Sequence, residues 1–238
     1  MKIISVVNEE ELGKQAGEIM AEAIKAKPDL VIGLATGSSP LPLYRDMIGR
    51  YEAGELDFSG VTSVNLDEYV GLLPTHEQSY RYFMIENPFG SINIDQANTH
   101  VPLGTAEDLE AECARYDALV DDLGGIDLQV LGIGLDGHIG FNEPADTFSK
   151  NTQVVHLTES TVNANARFFD DPADVPKEAI TLDIRHIMLA KKIIMVAGPE
   201  KKDILDKAFY GDITPQMPAS ALQMHPDTTV IIISPGQS

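Results

Sequence analysis

The sequence is short of three things, and each shortage closes off a class of protein. It has one cysteine, Cys113, which excludes an internal disulfide and fits a reducing compartment. It has no apolar stretch near the roughly 20 residues that a membrane span requires; runs such as residues 30–35 and 230–233 are far shorter. It is also poor in positive charge. Seventeen Lys and Arg face 37 Asp and Glu, a net charge of −20, which repels nucleic acid and anionic membrane surfaces at long range. The opening MKIISVVNEEEL runs straight from a brief apolar segment into acidic residues, unlike a signal peptide with its longer apolar core. A cytoplasmic protein with no nucleic-acid and no membrane partner is expected. The same charge means that an anionic substrate must be held by local donors against an unfavourable overall field.

A length of 238 residues with 43% hydrophobic and 23% charged side chains suits an ordinary globular protein with a sizeable core, read here as one domain over 1–238. Asn8 and Glu11 form a capping-box variant, and Leu12, Ala16, Ile19, Ala23 and Ile24 then recur at helical spacing until Pro28. Cys113 falls on the apolar stripe of Leu109, Tyr116, Val120 and Leu123 in a capped helix after Thr105, which marks a structural thiol rather than a nucleophile. Short apolar runs at 29–36, 61–66, 126–133, 192–197 and 229–233 read as buried strands, and helical patterns separate them. This alternation predicts an α/β fold: a Rossmann-like, doubly wound, mostly parallel sheet with helices on both faces. The proline-containing stretch 170–177 is the candidate for a lid within 150–180, although a plain surface connection has the same composition.

In an open parallel sheet, ligands bind beyond the C-terminal strand ends, so the segments after each strand carry the chemistry. After the second strand come Thr36, Gly37, Ser38, Ser39 and Pro40. Small residues, hydroxyls and a helix N-terminus with free N–H groups suit an anion. A tight turn with Ser39 as N-cap and Pro40 as first helical residue accounts for the segment equally well. Asp67 and Glu68 follow the third strand, where a carboxylate can act as a base or bind a hydroxyl; taken alone, the pair reads as solvated loop residues. LGIGLDGHIGFNEP carries four glycines, with His138 between Asp136 and Glu143. A carboxylate beside an imidazole fixes its tautomer and favours its charged form, which suits proton transfer. Metal binding is the rival, but HExxH spacing and a second nearby histidine are missing. Arg167 and Lys201, the latter in the first turn of a helix, are cations available to a phosphate, although an isolated cation pairs by default with surface carboxylates.

Together, GLATGSSPLPLY, NLDEYVGL, LGIGLDGHIGFNEP, NARFF and GPEK resemble the motifs of the glucosamine-6-phosphate deaminase family, in the same order and over essentially the whole chain. The resemblance implies an enzyme, a hydrolase or isomerase acting on an amino sugar phosphate, that needs no cofactor and no metal. It implies Asp67 as the base that takes the C2 proton and His138 as the ring-opening acid and base. Asp136 and Glu143 would orient that histidine. Thr36, Gly37, Ser38, Ser39, Arg167 and Lys201 would hold the 6-phosphate. Many relatives carry basic residues after FNEP for an allosteric amino sugar phosphate, whereas residues 147–155 here have Lys150 as their sole cation, so weak or absent activation is expected. A chain stopping soon after its last strand suggests a monomer or small homo-oligomer. Two rivals share the fold. In 6-phosphogluconolactonases the FNEP continuation is missing and arginine stands where Tyr69 follows Asp67 and Glu68; non-catalytic sugar-phosphate sensors normally add a basic DNA-binding module.

Overall fold

A computed structural model describes residues 1–166, 169, 171 and 174–234, without side-chain detail at 160, 164 and 165. Seven strands make a wholly parallel sheet: β1 (Lys2–Val6), β2 (Val31–Leu34), β3 (Thr62–Asn65), β5 (Thr99–His100), β6 (Leu128–Leu131), β9 (Lys192–Ala197) and β10 (Thr228–Ile233). Their order across the sheet is β1-β10-β9-β6-β2-β3-β5. From β2 the chain winds outward through β3 to β5; from β6 it winds the other way through β9 and β10. The order therefore reverses between β2 and β6, and the loops leaving those two strands flank a crevice at their C-terminal ends.

Side chains alternate along the strands and feed two cores. Ile194 and Val196 of β9 join Leu12, Ala16 and Met20 of α1 (Glu9–Ala26) and Leu43, Tyr44 and Met47 of α2 (Leu41–Glu52). Ile193, Met195 and Ala197 face the other way, onto Tyr116 and Val120 of α4 (Leu109–Asp122), Ile184 and Ile187 of α6 (Ile184–Leu189), and Leu205 and Phe209 of α7 (Lys202–Tyr210). A strand apolar on both faces is what a sheet covered on both sides requires. Helix α1 starts as the sequence suggests: the Asn8 side chain accepts from Glu11 N at 2.9 Å, and Glu11 reaches back to Val7 N at 2.8 Å. Cys113 is buried on α4, where burial raises its thiol to about 11. No described helix is long and apolar enough to cross a membrane.

A second sheet was not expected. Strands β4 (Asp67–Tyr69), β8 (Glu178–Thr181) and β7 (Gln153–His156) pair antiparallel in the order β4-β8-β7. The chain steps from one sheet to the other at Leu66, whose N–H donates to Leu34 O and whose carbonyl accepts Leu182 N. Asp67 and Glu68 are thus strand residues buried at the junction of two sheets, not solvated loop residues. Strand β7 and helix α5 (Glu159–Asn165) fall within the 150–180 segment; residues 170, 172 and 173 of the lid candidate 170–177 lie outside the described residues.

Candidate active site

The loop after β2 keeps Gly37 and Ser38 exposed and Thr36 and Ser39 half-buried. Gly37 adopts φ +91°, and no described atom lies within 4 Å of where a Cβ would stand, so the loop is open to a ligand. Neither sequence reading of this loop holds in full. Pro40, not Ser39, takes the N-cap position of α2, without a side-chain cap, and Pro42 sits in the first turn. Proline has no N–H, and Leu41 N donates to Ser38 O at 3.3 Å. The first turn of α2 therefore offers few free donors, and the N–H groups and hydroxyls of residues 36–39 are what remain.

The loop after β6 folds back on itself: Gly134 N donates to His138 O at 2.9 Å and Gly137 N to Gly134 O at 3.1 Å. His138 Nδ1 lies 2.7 Å from Asp136 Oδ1, a close ion-pair distance with the ring N–H off the line to the oxygen. Burial pushes the Asp136 carboxyl up, but the His138 ring outweighs it and holds the group below its ordinary value. Glu143, expected beside Asp136, is turned elsewhere. It accepts from Thr161 Oγ1 at 2.8 Å and Thr158 Oγ1 at 3.2 Å, so it sits at the N-terminus of α5 and ties the His138 loop to that helix. Thr158 is also the N-cap of α5, and a carboxylate suits that end of a helix.

Asp67 is 6% exposed. Burial, reinforced by the neighbouring Glu68 carboxylate, pushes its carboxyl up to about 8. The His138 loop packs directly upon it: a Cβ on Gly140 would stand 3.5 Å from Asp67 Oδ2, 3.0 Å from Thr181 Oγ1 and 3.6 Å from Asn142 Nδ2. Phe141 N donates to Thr181 Oγ1 at 3.0 Å, and Asn142 Nδ2 donates to Leu182 O at 2.8 Å, which fixes the loop on β8. Glu68 is spent on structure, accepting from the backbone N–H groups of Tyr69, Tyr80 and Arg81 at 2.8–2.9 Å. These bonds hold the start of α3 (Tyr80–Glu86).

The separate segments meet. A Cβ on Gly132 would be 3.9 Å from Ser39 Cβ, which brings the loops after β2 and β6 together at the reversal of strand order. Lys201 is the last residue of a 3₁₀ turn, Pro199–Lys201, rather than part of α7. Burial lowers its ammonium, while the charges of Glu200 and Asp136 oppose that shift, so Lys201 lies within electrostatic reach of the His138 pair. Arg167 falls outside the described residues. A cavity of about 350 Å³ opens beside this arrangement, lined by Asn142, Glu143, Ser149, His156, Thr158 and Ile184 among others. Asp67, His138 and Lys201 do not line it. A tight group of possible metal-ligand atoms, Asp117, Asp183 and His186, lies on α4 and α6 and is joined by ion pairs.

Tyr80 was not singled out from the sequence. Half-buried, its hydroxyl is kept protonated by burial first, with Tyr69 and Asp67 adding to the effect and contact with Thr36 opposing it. It therefore links the loop after β2 to Asp67. Its ring stacks on Phe141 at 6.0 Å and packs on Tyr69 at 4.7 Å. The spacing Ser79-Tyr80 after a turn carried no chemical signal; only the fold of α3 onto Glu68 delivers it.

The family model for glucosamine-6-phosphate isomerases/6-phosphogluconolactonase matches residues 8–231. The chain belongs to this family. Among curated members, it is 59% identical to the glucosamine-6-phosphate deaminase of Lachnoclostridium phytofermentans over 232 residues, covering 97% of this chain and 98% of that one. It is 52% identical to the deaminase of Thermoanaerobacter pseudethanolicus over 233 residues, covering 98% and 92%. Of solved members, a monomeric glucosamine-6-phosphate deaminase superposes with a TM-score of 0.95 at 44% identity, covering 98% of this chain and 97% of that one. The 6-phosphogluconolactonase of Thermotoga maritima gives 0.78 at 17% identity, covering 98% and 99%. That similarity shows the shared fold and nothing narrower.

Proposed function

We propose that this family member is a glucosamine-6-phosphate deaminase, converting glucosamine 6-phosphate and water to fructose 6-phosphate and ammonia. The observation that carries the reading is the seating of the His138 loop on Asp67 through Gly140. It supports a site shared by an imidazole and a separate buried carboxylate, which an aldose-to-ketose conversion of a cyclic sugar needs. Identities of 48–59% to deaminases across nearly the whole chain support the same reading, against 17–20% for lactonase structures. Tyr69 supports it too, since it is buried against Tyr80 and Phe141 at the position where a lactonase has arginine.

The residues divide the work by chemistry. His138, coupled to Asp136, takes the proton of the anomeric hydroxyl and supplies one to the ring oxygen, opening the ring to the aldehyde. Asp67, ionised in the complex, removes the C2 proton to give an enolamine and returns a proton at C1. The C2 carbon is then an iminium. Water adds there, ammonia leaves, and the water oxygen becomes the ketone, so the isomerisation ends in a hydrolytic step. A carboxyl raised to about 8 is a stronger base than an exposed one, which favours abstraction of a carbon-bound proton. The donors of Thr36, Gly37, Ser38 and Ser39, with Lys201 and Arg167, hold the phosphate and answer the charge problem locally. No cofactor enters this chemistry, since neither hydride nor electron moves. The substrate is a small molecule, and the working unit is a monomer or small homo-oligomer in the cytoplasm.

Asp67→Asn and His138→Gln test the assignment. Each should lower ammonia release by about 10³-fold while leaving the circular dichroism spectrum intact. Ordinary turnover in either folded variant would refute the role given to that residue.

A further inference from the structure

Among the described residues, the buried carboxyl of Asp67 has no cation beside it. Glu68 on β4, Tyr44 on α2, Tyr80 on α3, Tyr116 on α4 and Tyr69 on β4 all feel the Asp67 carboxylate or act on it. Asn142 and Thr181 approach from the His138 loop and β8. None of these is a cation. Among the described residues, no Lys, Arg or His nitrogen lies within 4.0 Å of an Asp67 oxygen. Two of the hydroxyls are also committed elsewhere: Tyr44 donates to Ala35 O, and Tyr116 to Asn65 O at 2.7 Å. A buried carboxylate without a counter-ion or full hydrogen bonding is costly, and it resolves that cost by holding a proton or by meeting a cation.

We propose that the cation is the substrate's own: Asp67 reads the charge of the C2 substituent, and the ammonium of a 2-amino sugar phosphate is the counter-ion that makes this residue an ionised base. The inference rests on the deaminase reading and adds to it a specificity determinant. Its geometry follows from bonding. A carboxylate oxygen that reaches the C2 proton comes within roughly 3 Å of C2, and the nitrogen is one bond from that same carbon, so the second oxygen is placed to meet the ammonium. With a hydroxyl at C2 the carboxyl keeps its proton and cannot abstract another. Selection is then by charge as well as by shape, through a group left unpaired until the correct ligand arrives.

The proton balance makes this measurable. The empty site holds Asp67 protonated near neutral pH, since burial pushes it up to about 8. The ligand arrives as an ammonium. Their complex is a carboxylate and an ammonium, so one proton goes to solvent. A hydroxyl ligand releases none from this residue.

Calorimetric titration of the wild-type protein near pH 6.5, in two buffers of different ionisation enthalpy, counts those protons. The probes are a 2-amino-2-deoxyhexitol 6-phosphate and the hexitol 6-phosphate of the same configuration. Neither has a C1 carbonyl, so neither turns over, and their common phosphate cancels in the difference. The amino ligand should release about one more proton than the hydroxyl ligand and bind at least tenfold tighter, the range of a charge-assisted contact. In Asp67→Asn both differences should vanish, with the affinity for the hydroxyl ligand within about threefold of wild type. Equal proton counts and affinities in the wild type, or a difference that persists in Asp67→Asn, would overturn the inference. Ammonia release by the same preparation separates the two claims: its absence counts against the deaminase reading, whereas ammonia release with indistinguishable ligands counts against charge reading alone.

Discussion

A Cβ added to Gly134 would stand 2.3 Å from His138 Cε1 and 2.4 Å from Nδ1, so the imidazole lies directly on the backbone of that glycine. The loop after β6 can hold the ring in place because nothing projects from residue 134. Gly134→Ala must push the ring away from Asp136, and a displacement near 1 Å costs about 10²-fold in rate. The expected outcome is a fall in kcat of about that size. A melting temperature lowered by only a few degrees would show that the His138 ring, more than the fold, has moved. Unchanged kcat would show that the ring position does not matter.

Asp67 sets a trade between stability and activity. Its folded carboxyl is raised from an ordinary 3.8 to about 8, so the folded state holds a proton that the unfolded chain has already lost. The fold's stability therefore falls as pH rises across that window and levels off above it. Asp67→Asn removes the penalty. Melting curves should show the variant gaining on wild type from pH 4 to pH 8.5, by roughly 5 °C at the upper end, while its ammonia release collapses. A melting difference that does not change with pH would contradict the burial argument.

His186 gives a pH dependence of the same sign from a different cause, a buried base held charged by its partners rather than a buried acid held neutral. It is 3% exposed, its Nδ1 bonded to Asp183 and 3.5 Å from Asp117, its Nε2 3.3 Å from Asp121. Burial alone would lower its pKa, but Asp183 and Asp117 outweigh burial and raise it. A raised base stabilises the fold fully below the unfolded value near 6.5, and that contribution is lost as pH rises through the folded value. The gap in melting temperature between wild type and His186→Phe should be widest near pH 6 and narrower by pH 9. A gap constant over that range would mean that the ring is held neutral.

The main sheet was legible in the sequence, and the reasons are local. Strand β9 was read with the bounds the structure has, because Lys192 followed by five apolar residues, ending at a Gly-Pro turn signal, leaves little choice. Helix α1 was legible because its cap lies in the sequence as Asn8 and Glu11. Sheet β4-β8-β7 was not legible. Asp67–Tyr69 is three residues long with two carboxylates, and only pairing with Glu178–Thr181, over 100 residues away, makes it a strand. The same long-range pairing buries Asp67. The proximity of Glu143 to His138 in sequence suggested a shared role, but the turn at Phe141–Asn142 sends its side chain to Thr158 and Thr161 instead.

The stretch 147–155 bears on regulation. Arg185 Nε donates to Lys150 O at 3.0 Å, and the Arg185 guanidinium turns to Asp121 at 4.0 Å. The nearby cation is thus committed to a backbone carbonyl and a carboxylate. Rates against glucosamine 6-phosphate concentration should be hyperbolic, and N-acetylglucosamine 6-phosphate should leave KM within about twofold. A sigmoidal curve that this compound straightens would contradict the expectation.

The proposed convergence of Asp67, His138 and the phosphate donors on one amino sugar phosphate is tested most directly by product analysis. The purified protein is incubated with glucosamine 6-phosphate and, separately, with 6-phosphogluconolactone, and ammonia, fructose 6-phosphate and lactone hydrolysis are measured together. The account predicts ammonia and fructose 6-phosphate in equal amounts from the first substrate and no acceleration of lactone hydrolysis with the second. Accelerated lactone hydrolysis without ammonia from the amino sugar would contradict it.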